Sequence, residues 1–274
     1  MRLNLATVEP DSGATARPFL GVTKSARGFA WRERLPAHMK QLATAISQRH
    51  GLPDLMGSVL AARGIGLDAV PTFLDPTLKS LMPDPSTLRD MEKAAARLAD
   101  AVQAKQNVAI FGDYDVDGAC SSALMKRFLE FHETPARIYI PDRIFEGYGP
   151  NVAAIETLVN EGAKLIVTVD CGTTSYEPLA AARKLGADVV VIDHHQADER
   201  LPDVNAVVNP NRQDDISGQG MLCAAGVVFL VLVATTRELR RRGYYSGSRE
   251  PDLLGLLDMV ALATVADVVP LVGL

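Results

Sequence analysis

Val108-Ala109-Ile110-Phe111-Gly112-Asp113-Tyr114-Asp115-Val116-Asp117-Gly118 runs an apolar strand straight into three aspartates. Two later stretches repeat the arrangement: Leu165 to Val169 leads into Asp170-Cys171-Gly172, and Val189 to Ile192 leads into Asp193-His194-His195. Helical patterns separate the three. Strands alternating with helices predict a parallel sheet, and ligands of such sheets sit beyond the carboxyl ends of the strands. The three acidic clusters should therefore meet at one edge. Carboxylates packed that closely repel one another and call for bound cations. Read from the residues alone, this is a divalent-metal site in an α/β fold, a Rossmann-like parallel sheet flanked by helices.

The rest of the chain fits around that core. Residues 1–35 lack periodicity and are expected to form a loosely ordered arm, and residues 36–106 a helical region. The spacing predicts helices over His38–His50, Leu55–Arg63 and Thr87–Lys105, with Thr87 as a cap and Asp90 three residues on. Past Gln106, strands are expected at 107–112, 137–140, 164–169, 188–192 and 205–209, and helices at 119–132, 151–161, 175–185, 224–240 and 251–264. Arg237, Arg240, Arg241 and Arg242 end a helix, where positive charge suits the dipole; phosphate binding is the alternative.

Composition excludes several classes. The 274 residues are 47% hydrophobic and 22% charged, as in an ordinary globular protein, and the net charge of −5 argues against a surface coated in basic charge. Nucleic acid remains open as a substrate, because metals and a local basic groove can hold phosphates. Cys120, Cys171 and Cys223 are widely spaced and odd in number, which gives neither a disulfide framework nor a zinc pattern and fits a reducing cytoplasm. Ile216 to Thr236 carries no formal charge, but its dense apolar part, Met221 to Ala234, suits a buried helix better than a membrane span. No Gly-Lys-Ser/Thr phosphate loop is present.

The Asp-x-Asp-x-Asp-Gly run resembles the opening of a calcium-binding EF-hand loop. That loop needs a glutamate at its twelfth position, which here is Leu124, and a helix where this chain has a strand. An aspartyl phosphotransferase also places Asp after its first strand but leaves Asp193-His194-His195 unexplained. In that triplet one histidine can ligate a metal while Asp193 orients that ring through its other nitrogen, and the second histidine can reach a phosphate or leaving group. Carboxylate and imidazole ligands together suit Mn2+ or Mg2+.

Asp113-Tyr-Asp-Val-Asp-Gly-Ala119, Val169-Asp-Cys-Gly172, Asp193-His-His195 and Ala266-Asp-Val-Val-Pro-Leu271 occur in that order and resemble motifs I to IV of the DHH phosphoesterase superfamily. The connectors Phe73-Leu-Asp-Pro76, Pro141-Asp-Arg-Ile-Phe-Glu-Gly-Tyr-Gly149 and Asn209-Pro210 are similar to its single-strand-specific DNA exonuclease branch. The resemblance implies two cations, Mn2+ or Mg2+, about 3.5–4 Å apart. It implies as their ligands Asp113, Asp115, Asp117, Asp170 as the bridge, His194 and Asp267, with Asp193 in support. Asp170, His194 and His195 would be catalytic, and Arg143, Tyr148 and His195 would contact substrate.

The implied activity is 5′-to-3′ hydrolysis of single-stranded DNA to nucleoside 5′-monophosphates, in cytoplasmic repair and recombination. A single-strand-binding protein and a helicase fit as partners. A hydrolase of short oligonucleotides or cyclic dinucleotides is the enzymatic alternative. Such relatives usually carry a His ahead of the paired aspartates, where this chain has Phe111. A non-catalytic replication or repair scaffold on the same fold is the other; the intact ligand set counts against it. Relatives of this kind continue past motif IV into further substrate-binding domains. The expectation is thus a catalytic portion, residues 107–274, without them.

Overall fold

A computed structural model describes residues 18–272; the first 17 residues of the expected arm lie outside the described residues. Contacts divide the chain into two units, one ending at Leu81 and one beginning at Met82.

In the first unit, residues 18–35 fold back on themselves, with the Phe19 amide donating to the Trp31 carbonyl at 2.9 Å. Four helices follow: α1 (Lys40–His50), α2 (Asp54–Ala62), α3 (Val70–Leu74) and α4 (Leu78–Leu81). Ala43 and Ile46 of α1 close on Leu60 and Ala61 of α2 and on Val70, making a small core of their own.

The second unit is a doubly wound sheet. Its elements are α5 (Met91–Gln103), β1 (Val108–Gly112), α6 (Val116–Phe131), β2 (Ala136–Tyr139), α7 (Val152–Asn160), β3 (Leu165–Val169), α8 (Tyr176–Lys184), β4 (Asp188–Ile192), β5 (Ala206–Val208), α9 (Ala224–Arg241) and α10 (Leu257–Ala266). All strand pairs are parallel, in the order β2-β1-β3-β4-β5. β1 and β3 are wholly buried, as strands covered on both faces must be. Alternate residues face opposite layers. Val108 and Ile110 of β1 join the core under α5, α6, α9 and α10, while Ala109 and Phe111 join the core under α7 and α8. Each fully buried Leu, Ile or Phe contributes about 1.5–3 kcal/mol of transfer free energy, so these two layers hold the sheet edge rigid.

The order 2-1-3-4-5 decides where a ligand belongs. After β2 the chain crosses to the other side of β1, so the crevice between β1 and β3 is the topological switch point. Register sharpens this. Gly112 pairs with Val169, Val169 with Ile192, and Ile192 with Val208. The next residue of each strand, Asp113, Asp170, Asp193 and Asn209, therefore stands in one row across the sheet's carboxyl edge.

Some expectations needed correction. Thr87 does not cap α5; it lies in a 3-10 turn, Pro85–Thr87, and α5 starts at Met91. Asp90 precedes it with a left-handed backbone and no capping bond, because its carboxylate is held by Arg212, Lys93 and the Val207 amide. The last helix begins at Leu257, not 251, since a 3-10 turn, Leu254–Leu256, takes up the approach. The uncharged stretch is the front of α9, whose side chains are mostly buried in the core. No helix among the described residues is long and apolar enough to cross a membrane. The four arginines at the end of α9 are all engaged: Arg237 with Asp84, Arg240 with Glu250, Arg241 with Glu238, and Arg242 with Asp100 and Glu238. The phosphate-binding alternative for that run has no spare guanidinium to rest on.

Candidate metal centre

The loop after β1 turns into α6 within three residues, and one side chain and one glycine make that possible. Asp115 caps the helix by accepting the Gly118 amide at 2.9 Å. Gly118 has no alternative: a Cβ there would sit 2.4 Å from the Asp113 carbonyl oxygen. The helix thus starts directly behind Asp113, leaving it and Asp115 facing the switch-point crevice.

Asp117, on the first turn of α6, is buried, and its two oxygens accept the amides of Ala224 at 2.6 Å and Ala225 at 2.8 Å. Those are the first residues of α9, so the positive end of an 18-residue helix points at this carboxylate. Burial raises the Asp117 pKa, and the two amides only partly offset it. Burial also raises that of Asp113, with Asp115 adding to the effect.

Asp170 ends β3 in a left-handed backbone, φ 62°. Such a conformation costs a non-glycine residue about 1–3 kcal/mol and collects at functional sites. Gly172 completes the turn at φ 111°, where a Cβ would meet Thr168 Oγ1 at 2.5 Å. Asp170 is 1% exposed, yet neither carboxylate oxygen has a hydrogen-bond partner among the described residues. Burial first, then Asp117 and Asp115, push its pKa far up, against the pull of His194.

The Asp193-His194-His195 turn gives the two histidines different surroundings. Asp193 accepts the backbone amides of both, the Thr173 amide at 3.1 Å, and the His195 Nδ1–H at 2.8 Å. Burial opposes ionisation of Asp193, but the His195 bond and the Thr173 bonds win, holding its carboxyl at about 2. Asp193 in turn raises the His195 pKa against the cost of burial. Asp193 thus orients His195 and not the expected ligand His194, whose Nδ1 lies 3.2 Å from the Leu222 carbonyl because the turn aims that ring away from Asp193. The His194 Nε2 lies 3.4 Å from Asp170, 3.7 Å from Asp117 and 3.7 Å from Asp267.

Ligand-type atoms gather in overlapping groups: Asp113, Asp115 and Asp170; Asp117, His194 and Asp267; and Asp170, His194 and His195. In each group they lie within 4.8 Å of one another. Asp170 belongs to the first and third groups and His194 to the second and third, which links all three. All six residues expected as ligands thus come together. A cation fits these residues on structural grounds: a buried carboxylate with two unsatisfied oxygens, beside other acidic groups, lacks only positive charge.

A cleft of about 770 Å³ opens from this centre, lined by Asp115, Tyr148, Thr173, Ser175, Glu177 and His195 among others. Tyr148 donates its hydroxyl to the Asp170 carbonyl at 3.3 Å and meets the His195 ring edge-on. Arg143 is not in the cleft wall; its guanidinium lies over the Tyr114 ring, 5.1 Å from the centroid, and Tyr114 lines the cleft.

Residues 107–264 match the DHH family, N-terminal domain. The chain belongs to the DHH family. It is 38% identical over 201 residues to the single-stranded-DNA-specific exonuclease RecJ of Haemophilus influenzae, covering 72% of this chain and 34% of that protein. The RecJ of Bacillus subtilis is 34% identical over 227 residues, covering 83% of this chain and 27% of the relative. The chain therefore spans about a third of the length of the curated relatives it matches. A crystal structure of exonuclease RecJ bound to manganese is similar at 33% identity and a TM-score of 0.59, over 68% of this chain and 45% of that one. RecJ from Thermus thermophilus in complex with Mn2+ reaches a TM-score of 0.68 at 28% identity, over 87% of this chain and 32% of that one.

The sequence reading passed over several contributors to the centre: the α9 amides on Asp117, the Leu222 carbonyl on His194, and Thr173, Asn209 and Asn211 around the histidine turn. For Asn209 a signal was present, since the apolar run before it matches those before Asp113, Asp170 and Asp193.

Proposed function

We propose that this chain carries the metal-dependent phosphodiesterase core of a single-stranded-DNA-specific exonuclease, with residues 107–274 as its catalytic portion. The observation that carries the reading is Asp170: buried, in a left-handed turn at the switch point, with neither oxygen hydrogen-bonded among the described residues. Asp113, Asp115, Asp117, Asp170, His194 and Asp267 would hold two Mn2+ or Mg2+ ions, with Asp170 shared between them. Bound there, the ions would supply Lewis acidity toward the phosphate and a water of lowered pKa.

The chain's own groups do the rest. Asp193 fixes His195 by its Nδ1–H, leaving Nε2 turned away from the carboxylate and able to donate to a phosphate or leaving-group oxygen. Tyr148 and Tyr114 form an aromatic wall against which a nucleotide strand can lie, and Arg143, stacked over Tyr114, adds positive charge beside that wall. Digestion from the 5′ end, a role in repair and recombination in the cytoplasm, and work beside a single-strand-binding protein and a helicase belong to the same reading, and rest on the resemblance of the sequence motifs alone.

The test is to incubate the chain with Mn2+ and 5′-labelled single-stranded DNA, with duplex DNA and a dinucleotide in parallel. Labelled mononucleotide from the single strand alone is expected. Cleavage of the dinucleotide alone would move the reading to a hydrolase of short substrates, and duplex cleavage at the same rate would overturn strand specificity.

A further inference from the structure

Asn209 is fully buried and stands in the same row of the sheet edge as Asp113, Asp170 and Asp193. Its Nδ2 donates to Thr173 Oγ1 and to the His195 carbonyl, both at 2.9 Å, and its Oδ1 accepts the Asn211 amide at 2.8 Å. Every polar group of that side chain is used. Asn211 then donates its own Nδ2 to the His194 carbonyl. The two histidine carbonyls are thus each taken by one asparagine amide.

The bonds close a ring. Asn209 holds Thr173, the Thr173 amide donates to Asp193, Asp193 accepts the His195 Nδ1–H, and the His195 carbonyl returns to Asn209. This ring ties the turn after β3, which presents Asp170, to the turn after β4, which presents both histidines. A metal ligand set tolerates little error in donor position, and hydrogen bonds behind the ligands supply that accuracy. Asparagine suits this position because it gives two N–H donors to carbonyl and hydroxyl oxygens, where an aspartate of the same shape would set acceptor against acceptor.

We infer that Asn209 and Asn211 are positioning residues of the metal centre, holding the His194–His195 backbone so that His194 Nε2 faces Asp117, Asp170 and Asp267. The inference rests on the metal-centre reading above. Asn205, just before β5 at its opposite end, provides a contrast: it accepts the Val189 amide and donates to Asp188, far from the centre. A merely structural role would make the asparagines at the two ends of β5 behave alike.

The experiment is Mn2+ titration calorimetry of the whole chain as wild type, Asn211→Ala, Asn209→Asp and Asn205→Ala, with metal-free melting temperatures alongside. Asn211 is only half-buried, so its variant decides the matter even if Asn209→Asp folds poorly. Asn211→Ala and Asn209→Asp are expected to weaken Mn2+ binding roughly 10- to 100-fold. Asn205→Ala should stay within about twofold while melting lower, since it loses hydrogen bonds but no ligand support. Wild-type affinity in Asn211→Ala, or affinity losses that simply track melting temperature across all three, would overturn the inference. Wild-type chain that takes up no Mn2+ would remove the metal-centre reading itself, and the inference with it.

Discussion

Asp188 and Asp170 sit at opposite ends of the same parallel sheet, and the protein treats them in opposite ways. Asp188, at the start of β4, takes the Arg97 guanidinium at 2.7 Å and the Asn205 amide at 3.0 Å. Burial works against its charge, but those partners hold its pKa below the ordinary carboxylate value. Asp170, at the end of β3, is more deeply buried, has no hydrogen-bond partner among the described residues, and has its pKa pushed far up. Arginine is plentiful in this chain, and the end of α9 shows how thoroughly acids and bases are matched elsewhere. The amino edge of the sheet is complete in itself. On the proposed reading an added cation completes the carboxyl edge, and that asymmetry would separate a structural aspartate from a functional one.

Exchanging the two aspartates should break the comparison most sharply. Asp170→Ala is expected to lower Mn2+-dependent hydrolysis of single-stranded DNA by roughly a thousandfold or more, since on the proposed reading this carboxylate would help to hold both ions. Asp188→Asn should leave turnover within about twofold. Initial rates at saturating Mn2+ measure both, and wild-type-like turnover by the Asp170 variant would end the assignment.

Stability should move the other way. Asp170→Asn removes a carboxyl whose ionisation burial opposes and suits the left-handed backbone, so above about pH 8 the metal-free chain should gain about 1–2 kcal/mol. Asp188→Asn weakens a charge-assisted bond to Arg97 and should lose about 1 kcal/mol. Urea melts in EDTA give both values; loss of stability in both variants would mean that Asp170 already has the support it lacks here.

pH adds a graded version of the same test. A carboxyl whose folded pKa is raised contributes stability that is whole below its unfolded value and is lost as pH climbs through the folded one. Asp113, Asp117 and Asp170 are all raised, so the metal-free centre should weaken the fold as pH rises out of the carboxylate range. The melting-temperature gap between Mn2+ and EDTA samples should be wider at about pH 8 than at about pH 6. A gap that narrows with rising pH would contradict the electrostatic account.

The smallest effect is expected beside the centre. Cys171 is buried next to Asp170, but its thiol only reaches the backbone carbonyls of Val169 and Phe111. Cys171→Ser keeps a donor there and should alter turnover by less than about threefold, measured in the same nuclease assay. A large loss with an unchanged melt would give the thiol a role that its contacts do not suggest.

Local patterns carried the fold a long way. An apolar run entering Asp113, Asp170 or Asp193 marks both a buried parallel strand and the end that bears ligands, so sheet, edge and most of the acidic cluster were legible together. Asp267 was legible only through the resemblance of the motif around it, since an aspartate after a helix is usually a cap. What escaped depends on partners distant in the chain. Thr87 and Asp90 looked like a helix start until Arg212 and Val207 claimed the Asp90 carboxylate. For the arginines of α9 the sequence suggested a dipole-matched helix end with phosphate binding as the alternative, and gave no sign of the partners Asp84, Asp100 and Glu250. Asn209 looked like a connector because its role requires knowing which residue of β5 stands level with Ile192 of β4.

The most direct measurement is anomalous diffraction at the manganese edge from crystals of this chain grown with Mn2+. The account predicts two peaks, one beside Asp113 and Asp115 and one beside Asp117, His194 and Asp267, with the Asp170 carboxylate ligating both. Manganese bound elsewhere, with the Asp170 oxygens in contact with no ion, would contradict it.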